Sequence, residues 1–172
     1  MSEESTPSPA TPLQRGMDLL SNAAVAVAVV ALLGLVAVQG WQVIARYVIN
    51  DSPSWTEPVT VLLLTTAMSL GAAAGVHTNR HFGFFLLADA VGPRLKRLLH
   101  ALSPLVIAAI GGVMAYWGAV LLMDGLDIRI AGASMPQSIG YLPLAIGGVL
   151  MAVFALYRLL LVLRAPLNDE AR

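Results

Sequence analysis

Residues Trp41–Glu57 read WQVIARYVINDSPSWTE. This stretch joins two long apolar runs, and its reading decides how the chain is organised. It holds Arg46, the only Arg between Arg15 and Arg80, two of the three Trp, and Glu57, the only Glu between Glu4 and Glu170. Asn50-Asp51-Ser52-Pro53 is turn chemistry, because Asn and Asp side chains bond nearby backbone and Pro fixes its own φ. A polar, aromatic turn between two greasy runs marks where a chain leaves an apolar phase, reverses in water and returns.

Ser54-Trp55-Thr56-Glu57 fits a capping box, in which Ser54 accepts from the Glu57 amide and Glu57 reaches back to Ser54. A carboxylate there also meets the positive end of the helix it opens. Glu57 thus has two compatible readings, a local cap and a contact with a partner. Arg46 likewise reads either as an interfacial cation with its stem along the apolar phase, paired with Asp51, or as a partner contact.

Working outward, the 172-residue chain is 58% hydrophobic and only 12% charged, against roughly 25% charged in soluble domains. It is a membrane protein by composition. Its net charge is zero, so it has no electrostatic footprint for nucleic acid. It has no Cys, which excludes disulfides, thiolate chemistry and Cys-ligated metals. The opening MSEESTPSPATP is acidic and lacks the basic region of a signal peptide. Residues 1–14 are expected to be a disordered cytoplasmic tail.

A hydrocarbon core about 30 Å thick takes about 20 helical residues to cross. Four runs qualify: Leu19–Ala45, Trp55–Val76, Leu98–Met123 and Ile139–Leu163. The expected fold is therefore all-α and integral to the membrane, with one four-helix domain over residues 15–165 and a short cytoplasmic tail over 166–172. Eight of the ten Lys and Arg fall on the side of the termini, and only Arg46 and Arg129 on the other. The positive-inside rule places both termini in the cytoplasm. Between spans two and three, Phe82–Val91 is too short to cross and reads as an interfacial amphipathic helix. Arg94, Lys96 and Arg97 follow it as contacts for lipid headgroups. Across the membrane, Asp124, Asp127 and Arg129 read as a loop with its own ion pairs.

Small residues supply packing surface: Gly71-Ala-Ala-Ala-Gly75 in span two, Gly111, Gly112 and Gly118 in span three, Gly147-Gly148 in span four. Such faces let helix backbones approach closely in lipid. Chemistry is sparse by comparison. His77 and His81 have the i, i+4 spacing of a metal pair, but only Asp89 accompanies them, and imidazoles are easily placed at a water interface. No metal, haem or other cofactor is expected. No ionisable residue occupies a span centre, so no ion or proton path is visible. No nucleophile–base pair or phosphate loop is present either, which argues against an enzyme. What remains is a helical scaffold for another membrane protein.

Several of these residues form a pattern: Trp41, Arg46-Tyr47-Val48-Ile49-Asn50, Ser52, Trp55 and Glu57, then Leu70-Gly71-Ala72-Ala73, Arg80-His81, Ser134-Met135-Pro136 and Tyr141-Leu142-Pro143-Leu144-Ala145-Ile146-Gly147. From about Leu33 to Leu163 the chain resembles the small membrane subunit, DctQ-type, of the tripartite ATP-independent periplasmic (TRAP) transporters of bacteria. Two positions depart from the family pattern. Pro58 stands where a second Glu is usual, and Gly83-Phe84-Phe85 stand where an acidic residue commonly follows the His. The resemblance implies a multi-pass protein of the bacterial inner membrane that scaffolds a large permease subunit during secondary active uptake. It implies a periplasmic binding protein as a further partner and an organic acid as substrate. Arg46, Tyr47, Asn50, Trp55 and Glu57 are then the outer candidates for the partner interface, and Arg80 and His81 the inner ones. The competing reading is a self-contained four-helix exporter or channel acting as a homo-oligomer, with Glu57 as its working carboxylate.

Overall fold

A computed structural model describes residues 11–78 and 93–164. It contains four long helices: α1 (Pro12–Ile44), α2 (Thr56–His77), α3 (Pro93–Asp124) and α4 (Ser138–Arg164). Each contains a stretch long and apolar enough to cross a membrane. The interfacial helix expected over Phe82–Val91, and Arg80 and His81, lie outside the described residues. Arg94, Lys96 and Arg97 belong to the first turns of α3, and their side chains also lie outside what is described.

The first helix starts earlier than the first apolar run. Helix α1 begins at Pro12, so residues 12–14, expected in the tail, form its first turn. The local cause is Thr11-Pro12. Thr11 is extended and its Oγ1 accepts from the Gln14 amide at 3.3 Å, while Pro12 supplies a φ already suited to a helix and lacks an N–H that would go unbonded there.

The helices pack as α1 on α2, α2 on α4, and α4 on α3. They form a row, ordered α1, α2, α4, α3, with α2 and α4 in the middle. Small residues make many of the contacts, joined by a few large ones such as Phe154 and Met151. On α1 the buried positions are Ser21, Ala24, Ala28 and Ala31, a 3-4-3 spacing that aligns them on one face. Ala24 and Ala28 meet Leu70 and Ala74 of α2. Next to them, Ala73 and Val76 of α2 pack against Met151, Phe154 and Ala155 of α4. Gly147 and Gly148 fit α4 between its two neighbours. A Cβ on Gly147 would lie 2.5 Å from the Cβ of Ser69 in α2, and one on Gly148 would lie 2.5 Å from the Ala115 amide nitrogen in α3. Without a hydrophobic drive between helices in lipid, this close backbone approach is what holds them together. The expected small-residue packing is thus within the chain, although Gly71 and Gly112 face open space.

The large apolar side chains point the other way. Leu19, Val30, Leu33 and Val36 on α1, and Leu105, Val113 and Tyr116 on α3, are among those exposed. Only 11% of the most apolar window of α3 is buried. A row of helices covers less of itself than a closed bundle does, which leaves the outer sides of its edge helices α1 and α3 bare.

Candidate functional site

The helical connectivity puts the α1–α2 turn and the α3–α4 loop at one end of the row, called here the hinge end. The first turns of α1 and the last turns of α2 and α4 lie at the other.

At the hinge end α1 does not stop at Ile44. It widens into a π turn over Ala45–Ile49, and Asn50 closes it in the left-handed region at φ 61°. The amides of Asn50 and Asp51 both donate to the Ala45 carbonyl. Asn tolerates this conformation better than most residues, so Asn50 terminates the helix. The expected capping box at α2 is not formed. Trp55 takes the cap position with no side-chain bond. Ser54 is instead drawn to the α3–α4 loop, where its Oγ donates to the Gly132 carbonyl at 2.9 Å. Buried Thr56 turns its hydroxyl back to the Pro53 carbonyl at 2.8 Å. Gly132 has φ +83° and sits so close that a Cβ would lie 2.8 Å from the Ser54 carbonyl oxygen. A long-range contact has outcompeted the local cap. The loop itself is held by backbone bonds, among them Ile130 N–H to the Met135 carbonyl at 3.0 Å and Gln137 N–H to the Ile128 carbonyl at 2.8 Å. The ion pairs expected among Asp124, Asp127 and Arg129 are absent among the described residues. The backbone bonds are what shape this loop.

Between the last turns of α1 and the first turns of α2 lies an open groove of about 440 Å³, lined by Gln39, Gln42, Val43, Arg46, Tyr47, Glu57, Thr60 and Val61. Arg46 and Tyr47 ride on the π turn, and Glu57 stands in the first turn of α2. Neither the Arg46 guanidinium nor the Glu57 carboxylate has a hydrogen-bonding or ion-pair partner among the described residues, so the expected Arg46–Asp51 pair is not made. Thr60 adds a buried hydroxyl without a partner among the described residues. Thr65 and Thr66, further along α2, meet their needs by bonding back to carbonyls one turn earlier, the usual solution for a hydroxyl inside a helix. Of the outer candidates, Arg46, Tyr47 and Glu57 come together in this groove. Asn50 and Trp55 share its end of the molecule but do not line it.

The opposite end carries a polar cluster that sequence reasoning missed. His77 Nε2 lies 2.6 Å from Asp18 Oδ1. A carboxylate only accepts, so Nε2 carries the proton. The His77 ring also tilts against Phe154, with centroids 5.1 Å apart. Arg158 Nη1 donates to the Val76 carbonyl at 2.9 Å. These contacts tie α1, α2 and α4 together. Their partners are 59 and 82 residues apart in sequence, so no local spacing signals them. No group of three or more metal-ligating residues occurs among the described residues.

The hinge end thus combines a polar groove, with two charges unpaired among the described residues, and exposed apolar helix faces. Comparison with known proteins identifies the system it belongs to. Residues 35–165 match the family model described as tripartite ATP-independent periplasmic transporters, DctQ component. The chain is also similar to the sialic acid TRAP transporter small permease protein SiaQ of Vibrio cholerae, at 25% identity over 154 residues, covering 83% of this chain and 86% of that protein. The chain therefore belongs to the DctQ family and is a small multi-pass membrane subunit of a TRAP transporter, a transport component and not an enzyme.

Proposed function

We propose that this subunit braces a large permease subunit in the bacterial inner membrane while that partner carries the substrate across by secondary active transport. The observation behind this reading is the open row of helices. Its own packing uses small residues, and it leaves large apolar side chains bare along α1 and α3. A broad, rigid apolar side suits a partner that needs a fixed surface to move against. A periplasmic binding protein delivers the substrate to the pair, as TRAP family membership implies. The substrate class is an organic acid, since the similar small permease protein is named for sialic acid. Both termini lie in the cytoplasm, on the strength of the charge distribution, so the hinge end faces the periplasm. There Arg46, Tyr47, Asn50, Trp55 and Glu57 form the outer contact, and Arg80 and His81 contribute at the inner side.

The test is co-expression with the large permease subunit, affinity purification of this chain in mild detergent, and uptake in cells. Stoichiometric recovery of the large subunit is expected, with lower recovery and uptake for Arg46→Ala and Glu57→Ala. Recovery of this chain alone, as a homo-oligomer, overturns the proposal.

A further inference from the structure

The groove at the hinge end has a composition that its packing role does not explain. It holds one cation and one carboxylate that pair neither with each other nor with any other described residue. We infer that this groove binds the headgroup of a zwitterionic phospholipid, with Arg46 on the phosphate and Glu57 on the ammonium.

Three features point to this ligand. The first is charge. A ligand that satisfies both groups must carry one negative and one positive centre. A guanidinium takes a phosphate in a bidentate geometry. A carboxylate accepts from an ammonium, and Glu57 stands in the first turn of α2, lining the groove. The second is size. The groove, about 440 Å³, is far larger than a single ion needs. Gln39, Gln42 and Tyr47, which also line it, supply N–H and O–H donors for ester oxygens, which only accept. The third is position. The groove lies at one end of two membrane-length helices, beside exposed Trp41 and Trp55, the residues that collect at the headgroup level of a bilayer. Farther into the spans, Leu32 and Val36 of α1 and Val61 and Leu64 of α2 are exposed apolar side chains. They give acyl chains a track leading away from the polar groove. A soluble zwitterion has no use for such a track.

The inference deepens the outer contact proposed above and rests on it only in making the lipid part of that contact. Its lipid arm uses the full-length chain alone, and recovery of the co-expressed large subunit is read in a separate arm, so the two readings fail separately. Wild type, Arg46→Gln and Glu57→Gln are purified in mild detergent and examined by native mass spectrometry after addition of phosphatidylethanolamine, phosphatidylglycerol or soluble phosphoethanolamine. Matching size-exclusion profiles and circular dichroism confirm that the variants fold, as expected for two exposed positions. Wild type should retain one phosphatidylethanolamine at least fivefold over phosphatidylglycerol. Glu57→Gln should erase that preference, and Arg46→Gln should reduce retention of both lipids at least fivefold. Equal retention of the two lipids by wild type overturns the inference. So does unchanged phosphatidylethanolamine retention in both variants, or displacement of the lipid by equimolar phosphoethanolamine. Variants that lose the lipid yet keep the large subunit leave the inference standing and remove the outer contact. The opposite pattern does the reverse.

Discussion

The two ends of this helix row handle polar residues in opposite ways. At the end away from the hinge, Asp18, His77 and Arg158 are spent on the chain itself: one pair across α1 and α2, and one guanidinium on a carbonyl of α2. At the hinge end, Arg46 and Glu57 face one groove and bond to nothing among the described residues. The first arrangement is architecture. The His77 side chain is only 12% exposed, and leaving a buried polar group unmet costs about 1–3 kcal/mol, although His77 Nδ1 has no partner among the described residues. The second arrangement serves this fold little, because exposed charges at such positions contribute almost nothing to stability. A polar residue in a membrane helix is therefore informative only together with its partner. Where the partner lies within the chain the residue is structural. Where none is found among the described residues, the group stays available to a partner of the kind proposed above.

Removing Arg158 should break the structural end most. Arg158→Ala leaves the Val76 carbonyl without its charged donor, and the loss should be about 1.5–3 kcal/mol, the range for a hydrogen bond to a charged group. Thermal or denaturant unfolding of the purified chain in detergent reads it. His77→Ala should cost less, about 1–2 kcal/mol, combining one hydrogen bond with lost packing on Phe154; the same unfolding assay checks it. Asp18→Asn should do least. The Asp18 side chain is 51% exposed, exposed pairs are worth about 0.2–1 kcal/mol, and an amide oxygen still accepts from His77. A loss for Asp18→Asn as large as that for Arg158→Ala would mean that the pair, not the carbonyl cap, holds the three helices together.

Much of the architecture was legible because a bilayer imposes lengths. The apolar runs ending at Val76, Met123 and Leu163 end within a residue of α2, α3 and α4. The hinge turn was legible too, since Asn50 carries a backbone conformation that few residues accept. What the residues did not announce is long-range. Ser54 looked like a cap because its neighbours fit one, and Gly132, 78 positions away, took its hydroxyl instead. Asp18 lies just before the first apolar run, and only the packing of α1 on α2 brings His77 to it. The small-residue face Ser21, Ala24, Ala28 and Ala31 was readable in principle from its 3-4-3 spacing, but it hides in a run where nearly everything is apolar. In the candidate site, the pattern Arg46-Tyr47 and Glu57 pointed to residues that share one groove, while Asn50 serves the turn and Trp55 lies beside it.

The comparison between the two ends is tested most directly by one double variant, Arg46→Gln with Glu57→Gln, co-expressed with the large permease subunit. Both its unfolding stability and its recovery of that subunit are measured against wild type. Stability should stay within about 0.5 kcal/mol, as for surface substitutions in general, while recovery of the large subunit falls at least fivefold. Undiminished recovery, or a stability loss above about 1.5 kcal/mol, would contradict the account and make the hinge charges as structural as Arg158.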